Sequence, residues 1–194
     1  AFTQGFTPLA GLGPAFNDGS CVVCHGGGPG GPPPGAASPR LVTRFGRSRG
    51  RSFDPLTSLG GSLLQDKIIV GCGDVETVPP EANVIAQRRT QPLFGLGLVD
   101  AVPDATFEEL AATQAANSRR GAGRVSRVVS PSTGETRVGR FGWKAQVASL
   151  FDFSGDAMLN EMGLTNPLFA DELCPEGDCG VLACNPRPDL NDDG

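Results

Sequence analysis

The chain has no tyrosine, a single histidine (His25), a single tryptophan (Trp143) and only two methionines, Met158 and Met162. These shortages narrow any metal chemistry. A metal held by His25 finds no second imidazole and no phenolate in these residues, which leaves methionine, lysine, a carboxylate or an open position. Long apolar runs are missing too. No stretch approaches the length of a transmembrane helix, and no signal-peptide pattern opens the sequence. There is no basic excess, since 16 basic residues face 21 acidic ones for a net charge of −5, which argues against nucleic acid as a partner. Regular structure is also in short supply. Apolar residues make up 39%, and there are 28 glycines and 17 prolines, so much of the backbone is expected in turns and loops. The 194 residues suffice for one well-cored domain and fall a little short of two. A chain this poor in regular structure needs another source of order.

What is present begins with Cys21-Val22-Val23-Cys24-His25. Two thiols separated by two residues can each add to one vinyl group of the same porphyrin, and the histidine that follows falls beneath the iron as proximal ligand. The motif therefore predicts one covalent haem c on Cys21 and Cys24, with His25 on the metal. Such a cofactor would also supply the apolar surface that the composition lacks. Haem attachment of this kind occurs outside the cytoplasm, so the chain, which begins at Ala1 as a processed product would, is expected to be periplasmic or extracellular. Cys72, Cys174, Cys179 and Cys184 remain. An even count in an oxidising compartment predicts two disulfides, with three pairings open. The spacings of five from Cys174 to Cys184 match no common zinc pattern.

The expected fold class is mainly α with much irregular loop: a cytochrome c-like haem domain over residues 1–170 with a small β-hairpin insertion, then a Cys-rich acidic tail over 171–194, stapled as a loop by disulfides. The haem motif is placed on a short helix. Residues 26–39, nearly all Gly and Pro, exclude a regular element. Arg40, Arg44, Arg47, Arg49 and Arg51 read as a solvated loop, with one or two guanidiniums available to haem propionates. Ile68–Val70 is a candidate short strand. Thr106 and Glu109 have capping-box spacing before a helix over Phe107–Asn117. Residues 124–129 and 135–141 alternate around Ser130–Gly134 as a hairpin. Trp143 to Met162 has a helical pattern with a break or kink at Ser154-Gly155.

On that last helix Met158, Glu161 and Met162 share one face by their i, i+3, i+4 spacing. Two soft ligands and an acid on one side make a candidate wall for the second face of the iron. Met158 reads more simply as core filler.

Four segments together resemble the di-haem cytochrome c peroxidase and MauG superfamily, in particular its thiol (di-haem) oxidoreductase branch. They are Gly11-Leu12-Gly13-Pro14-Ala15-Phe16-Asn17 leading into the haem motif, Arg89-Thr90-Gln91-Pro92-Leu93-Phe94-Gly95-Leu96-Gly97, Gly139-Arg140-Phe141-Gly142-Trp143-Lys144-Ala145, and Asn160-Glu161-Met162-Gly163-Leu164-Thr165. The resemblance places the chain on the N-terminal, peroxidatic haem domain of that family. It implies that Glu161 is the acid–base group over the open side of the iron, and that Arg89 and Trp143 join Cys21, Cys24 and His25 as haem-binding residues. The chain departs from the family pattern at Phe151, where the peroxidases carry a glutamine, with Gln146 the nearest substitute. It also carries one haem motif rather than two.

Three functions stay open on the residues. The first is a peroxidase-like oxidoreductase with Glu161 catalytic. The second is an electron-carrier cytochrome with His25 and Met162 as metal ligands. The third is a structural haem subunit. Each implies a redox partner protein, or a second haem domain on another chain or a missing segment. A thiol oxidoreductase role finds no support, because the cysteines outside the haem motif read as structural. Asp189-Leu190-Asn191-Asp192-Asp193-Gly194 resembles the opening half of a calcium loop, although a solvated acidic tail explains it as well.

Overall fold

The longest strand among the described residues runs through the Arg cluster. The computed structural model describes residues 5–7, 11–26, 41–117 and 121–180. Within them lie the strands β1 (Ala15–Phe16), β2 (Leu41–Arg49), β3 (Ser52–Asp54), β4 (Lys67–Ile68), β5 (Val84–Arg89), β6 (Ser126–Val129) and β7 (Thr136–Gly139). The helices are α1 (Cys21–His25), α2 (Leu96–Asp100), α3 (Asp104–Asn117) and α4 (Leu150–Met162). All strand pairs are antiparallel, in sheets of order β1-β4, β3-β2-β5 and β6-β7. The expectation of a mainly α, cytochrome c-like fold with one hairpin insertion is therefore wrong. Two of the four helices have only five residues, and the sheets carry as much of the architecture as the helices.

The error has a physical origin at β2. Arginines at 44, 47 and 49 made this stretch look solvated, but the middle of the strand is buried while its ends stay open. Phe45 and Gly46 are buried, Arg47 Nε donates to the Glu81 carbonyl at 2.9 Å, and Arg44 donates to Ser62 Oγ at 3.3 Å. Phe45 is paired in register with Ile85 of β5, and Arg47 with Asp54 of β3. Arg40 lies outside the described residues, as do 27–39, Cys184 and the calcium-like segment at 189–194.

Contacts divide the chain into two compact units: Ala1–Leu93 with Ala157–Gly194, and Phe94–Asp156. The first holds β1–β5, α1 and the end of α4. One small apolar cluster has Leu12, Met162 and Leu164 buried and Phe6, Phe16, Cys21 and Met158 packed against them, and Phe45, Leu56, Leu63 and Leu159 are buried in the same unit. Backbone approach matters as much as side chains here. Gly13 and Gly163 lie so close that a Cβ on Gly13 would fall 2.1 Å from the Gly163 carbonyl oxygen, and Gly163 has φ +62°, a conformation that glycine adopts without strain. Cys174 and Cys179 form a disulfide around the turn at 175–177, and Cys72 is disulfide-bonded as well.

The second unit, which holds α2, α3, β6 and β7, is organised by two polar centres. Arg140, 1% exposed at its side chain, pairs with Asp104. It also donates to the carbonyls of Val99, Asp100 and Val102 at 3.3, 3.2 and 2.5 Å and lies 4.8 Å from the centroid of the Phe107 ring. Asp152 is buried and accepts from Ser130 Oγ at 2.7 Å and from the Ser132 N–H at 3.1 Å, tying the β6–β7 turn to the start of α4. The hairpin is therefore present as expected, shortened at both ends.

Helix bounds differ from the sequence pattern. α3 starts at Asp104, so Thr106 lies inside its first turn and does not cap it. The expected helix from Trp143 begins only at Leu150, where Ser149 Oγ accepts the Asp152 N–H at 3.1 Å. Positive φ at Gly142 and Ala145 makes 142–145 a turn. α4 runs through Ser154-Gly155 without a break; Ser154 Oγ donates back to the Leu150 carbonyl at 2.8 Å. No helix among the described residues is long and apolar enough to cross a membrane.

Candidate functional site

Helix α1 is the haem motif and nothing else, five residues from Cys21 to His25. It ends because Gly26 turns away in extended conformation, with φ −70° and ψ 147°, and packs so closely that a Cβ there would lie 2.0 Å from the Val22 carbonyl oxygen. One helical turn brings the two thiols to i and i+3, and His25 to i+4 from Cys21. Neither Cys21 nor Cys24 is in a disulfide.

The histidine is held in one role. His25 Nδ1 lies 2.9 Å from the Gln91 carbonyl oxygen, and since a carbonyl only accepts, Nδ1 carries the proton and donates. The lone pair then belongs to Nε2, the nitrogen left for a metal. Burial pushes the imidazole's pKa down, and the Gln91 carbonyl opposes this only in part, which favours the neutral ring that a metal requires. Thr90 Oγ1 adds a second anchor by donating to the Cys24 carbonyl at 2.7 Å. Both anchors come from the stretch directly after β5, so the three-stranded sheet positions the proximal side of the site.

The segment before α1 is stitched to the end of α4. The N–H groups of Asn17 and Asp18 donate to the Glu161 carbonyl at 2.8 and 3.2 Å, and that of Gly13 to the Met162 carbonyl at 3.1 Å. Asn17 Nδ2 donates to Glu161 Oε2 at 2.8 Å. From beneath, the buried Gln65 donates through Nε2 to the Asn160 carbonyl at 3.0 Å, and its own N–H donates to Glu76 Oε2 at 2.6 Å. The first and fourth motif segments thus touch each other, and the second touches the haem motif.

Burial pushes the Cys21 thiol up from its ordinary value, and the nearby negative charge of Glu161 adds to the shift. Met158 and Met162 pack on the same cluster as Cys21, with Met162 the more enclosed at 3% exposed. Arg89 ends β5 and is exposed, one residue before Thr90. Trp143 lies in the second unit, 52% exposed, in the turn after β7. Gln146 in the same unit accepts the Lys144 N–H through Oε1 at 2.8 Å, and Phe151 is exposed.

The donor set fits a c-type haem: two thiols on one turn, an imidazole with its second nitrogen presented, and a partly buried apolar cluster beside the first thiol. Sequence reasoning missed Thr90, Gln91 and Asn17. Two of them act on the motif through a side chain–backbone contact or a backbone carbonyl, which residue type does not reveal. Their signal lay in being inside the motif segments, where the charged Arg89 drew attention instead.

A family model described as "Di-haem oxidoreductase, putative peroxidase" matches residues 76–177. That span includes the second, third and fourth motif segments and ends two residues before Cys179. No curated protein and no solved structure matches the chain.

Proposed function

Since the chain belongs to the di-haem oxidoreductase family, whose members use haem, we propose that it carries one covalent haem c on Cys21 and Cys24 and acts as a peroxidase-type oxidoreductase outside the cytoplasm. The observation that carries this reading is the hydrogen bond from His25 Nδ1 to the Gln91 carbonyl, which leaves the Nε2 lone pair for a metal. When bound, the haem supplies the redox-active iron at which peroxide is reduced. The residues of the chain do the rest. Cys21 and Cys24 would hold the group through thioether bonds, His25 would bind its metal, and Arg89 and Trp143 would be further haem-binding residues. Glu161 takes a proton from the substrate and returns it to the leaving oxygen, work worth about 10²–10⁴-fold in rate.

The packing of Met162 favours the peroxidase reading over the electron-carrier alternative. Its side chain is enclosed by Leu12 and Leu164 and packs as hydrocarbon. The second haem of the family has no matching motif in these 194 residues, so we place the electron-delivering haem on another chain or on a segment beyond them.

The test is the mass and spectrum of the purified protein. One haem should add to the polypeptide mass and survive acid–acetone extraction, and the Cys21→Ala/Cys24→Ala variant should lose it. The oxidised protein should show high-spin iron without a sulfur–iron band in the near infrared. An unmodified mass overturns the haem assignment, and a sulfur–iron band replaces the peroxidase reading with the electron carrier.

A further inference from the structure

We propose that Asn17 is a positioning residue for Glu161, fixing the carboxylate relative to the Cys21–His25 helix; this rests on the acid–base reading of Glu161 above. Asn17 is polar yet only 2% exposed, and such burial is costly unless each polar group is used. Two of its groups converge on one residue. The backbone N–H donates to the Glu161 carbonyl at 2.8 Å, and Nδ2 donates to Glu161 Oε2 at 2.8 Å. The side-chain oxygen is fixed by a different neighbour, the Asp66 N–H at 3.2 Å. That third bond settles which end of the amide faces the carboxylate, because an N–H requires an acceptor and leaves Nδ2 as the donor toward Glu161. The Asn17 side chain cannot turn over without losing both bonds.

The consequence follows from chain connectivity. Asn17 lies four residues before Cys21, so whatever fixes Asn17 fixes the carboxylate to the same short segment that carries the haem attachment. A proton-transfer group misplaced by about 1 Å can lose about 10²-fold in rate. Asn17 is therefore expected to act through Glu161 and not on the substrate.

The experiment uses the full haem-loaded chain with hydrogen peroxide as the probe. Asn17→Ala removes the donor. Asn17→Asp keeps the shape and the acceptor for Asp66 but replaces the donor by an oxygen. Each should lower the rate constant for peroxide about tenfold or more, while Glu161→Gln lowers it about a hundredfold. In the Glu161→Gln background Asn17→Ala should cost nothing further, since residues acting through one another are not additive. A readout apart from turnover is the infrared antisymmetric carboxylate stretch of Glu161, identified by its disappearance in Glu161→Gln. Asn17→Ala should shift that band. If Glu161→Gln slows the reaction while Asn17→Ala changes neither rate nor band, the positioning role is overturned and the acid–base reading stands. Additive losses in the double variant overturn it too, by placing the action of Asn17 elsewhere. If Glu161→Gln reacts at the parent rate, the acid–base reading itself falls and the positioning role with it.

Discussion

The two units of the chain solve the same shortage of apolar residues in opposite ways. The unit over Phe94–Asp156 is closed on itself: Arg140 is matched by Asp104 and three carbonyls, and Asp152 by two serines and a backbone N–H. Burial would raise the Asp104 carboxyl, but the Val138 N–H and the two guanidiniums of Arg137 and Arg140 bring it below its ordinary value. Asp152 is likewise lowered against its own burial, by Ser132, Ser130 and Ser149. The unit containing α1 is less complete. The apolar cluster against Cys21 has three buried members, two thiols stand outside any disulfide, and the Glu76 carboxyl is raised by its burial. A self-sufficient polar core needs no ligand. A core with presented donors and a thin apolar lining is what a prosthetic group would complete.

The largest expected effect tests that contrast directly. Cys21→Ala/Cys24→Ala, by removing haem attachment, should raise amide hydrogen exchange throughout residues 41–93 while amides over 96–156 keep their protection. Equal loosening of both stretches would mean that the second unit is not self-sufficient. The converse variant is Arg140→Ala. It takes the donor from three carbonyls and one of two guanidiniums from Asp104, which keeps Arg137 and the Val138 N–H, and groups left unsatisfied cost about 1–3 kcal/mol. Exchange should then rise first over 96–156. Arg140→Lys should recover only part of the loss, because an ammonium cannot span the carbonyls and the carboxylate with a planar fork. Urea unfolding of the three proteins measures the order.

The short helix over Cys21–His25 was legible, and less of the rest of the fold was. Two thiols and an imidazole at this spacing are a chemical pattern that does not depend on the surrounding chain. The β6–β7 hairpin was legible because Ser130-Pro131-Ser132-Thr133-Gly134 is turn chemistry between alternating segments. The β2–β5 pairing was not. Its strands are 35 residues apart at the nearest ends, half of their residues are charged or polar, and register between such strands comes from a few buried positions such as Phe45. The helix before Leu150 was over-read because Trp143, Lys144, Ala145 and Gln146 have helical propensity, and the turn at Gly142 and the bridge from Phe141 to Val147 override it. The Asn17–Glu161 contact joins residues 144 apart, and no local pattern encodes it.

A smaller effect, with a definite sign, comes from Glu76. Burial, helped by the charge of Glu176 and opposed by the Gln65 N–H, pushes its carboxyl up to about 7, whereas an unfolded chain has it near the ordinary glutamate value of about 4.3. Between those values the folded state holds a proton that the unfolded state has lost, so this group's contribution to stability declines as pH rises and flattens above about 7. The loss is on the order of 2 kcal/mol after allowance for screening. Glu76→Gln stays neutral and still accepts from Gln65, so its stability relative to the parent should climb from pH 5 to pH 8. Glu176 is lowered by its bonds to Thr77, which gives it the opposite slope in both proteins. A parallel pair of curves would show that Glu76 is ionised in the fold throughout.

The smallest effect compares one ion pair from each unit. Lys67 Nζ lies 2.6 Å from Asp18 Oδ2, while Arg127 pairs with Glu108 on a more exposed surface. Exposed pairs are worth about 0.2–1 kcal/mol, so Arg127→Ala should be nearly silent. Lys67→Ala should cost more, toward the top of that range, for two reasons. Asp18 is only one-fifth exposed, and its other oxygen already accepts the Gly19 N–H at 2.8 Å, so the carboxylate is held in place before Lys67 arrives. Less side-chain freedom is then lost in making the pair. Raising salt from about 0.05 M to 1 M shortens the Debye length from roughly 14 to 3 Å and should erase most of the Arg127 effect while sparing part of that of Lys67. Thermal unfolding of both variants at the two salt concentrations separates them. If the two respond alike, the segment leading into α1 is no more rigid than the open surface of the second unit, and the stitching of Asn17 and Asp18 to α4 contributes less order at the haem motif than its hydrogen bonds suggest.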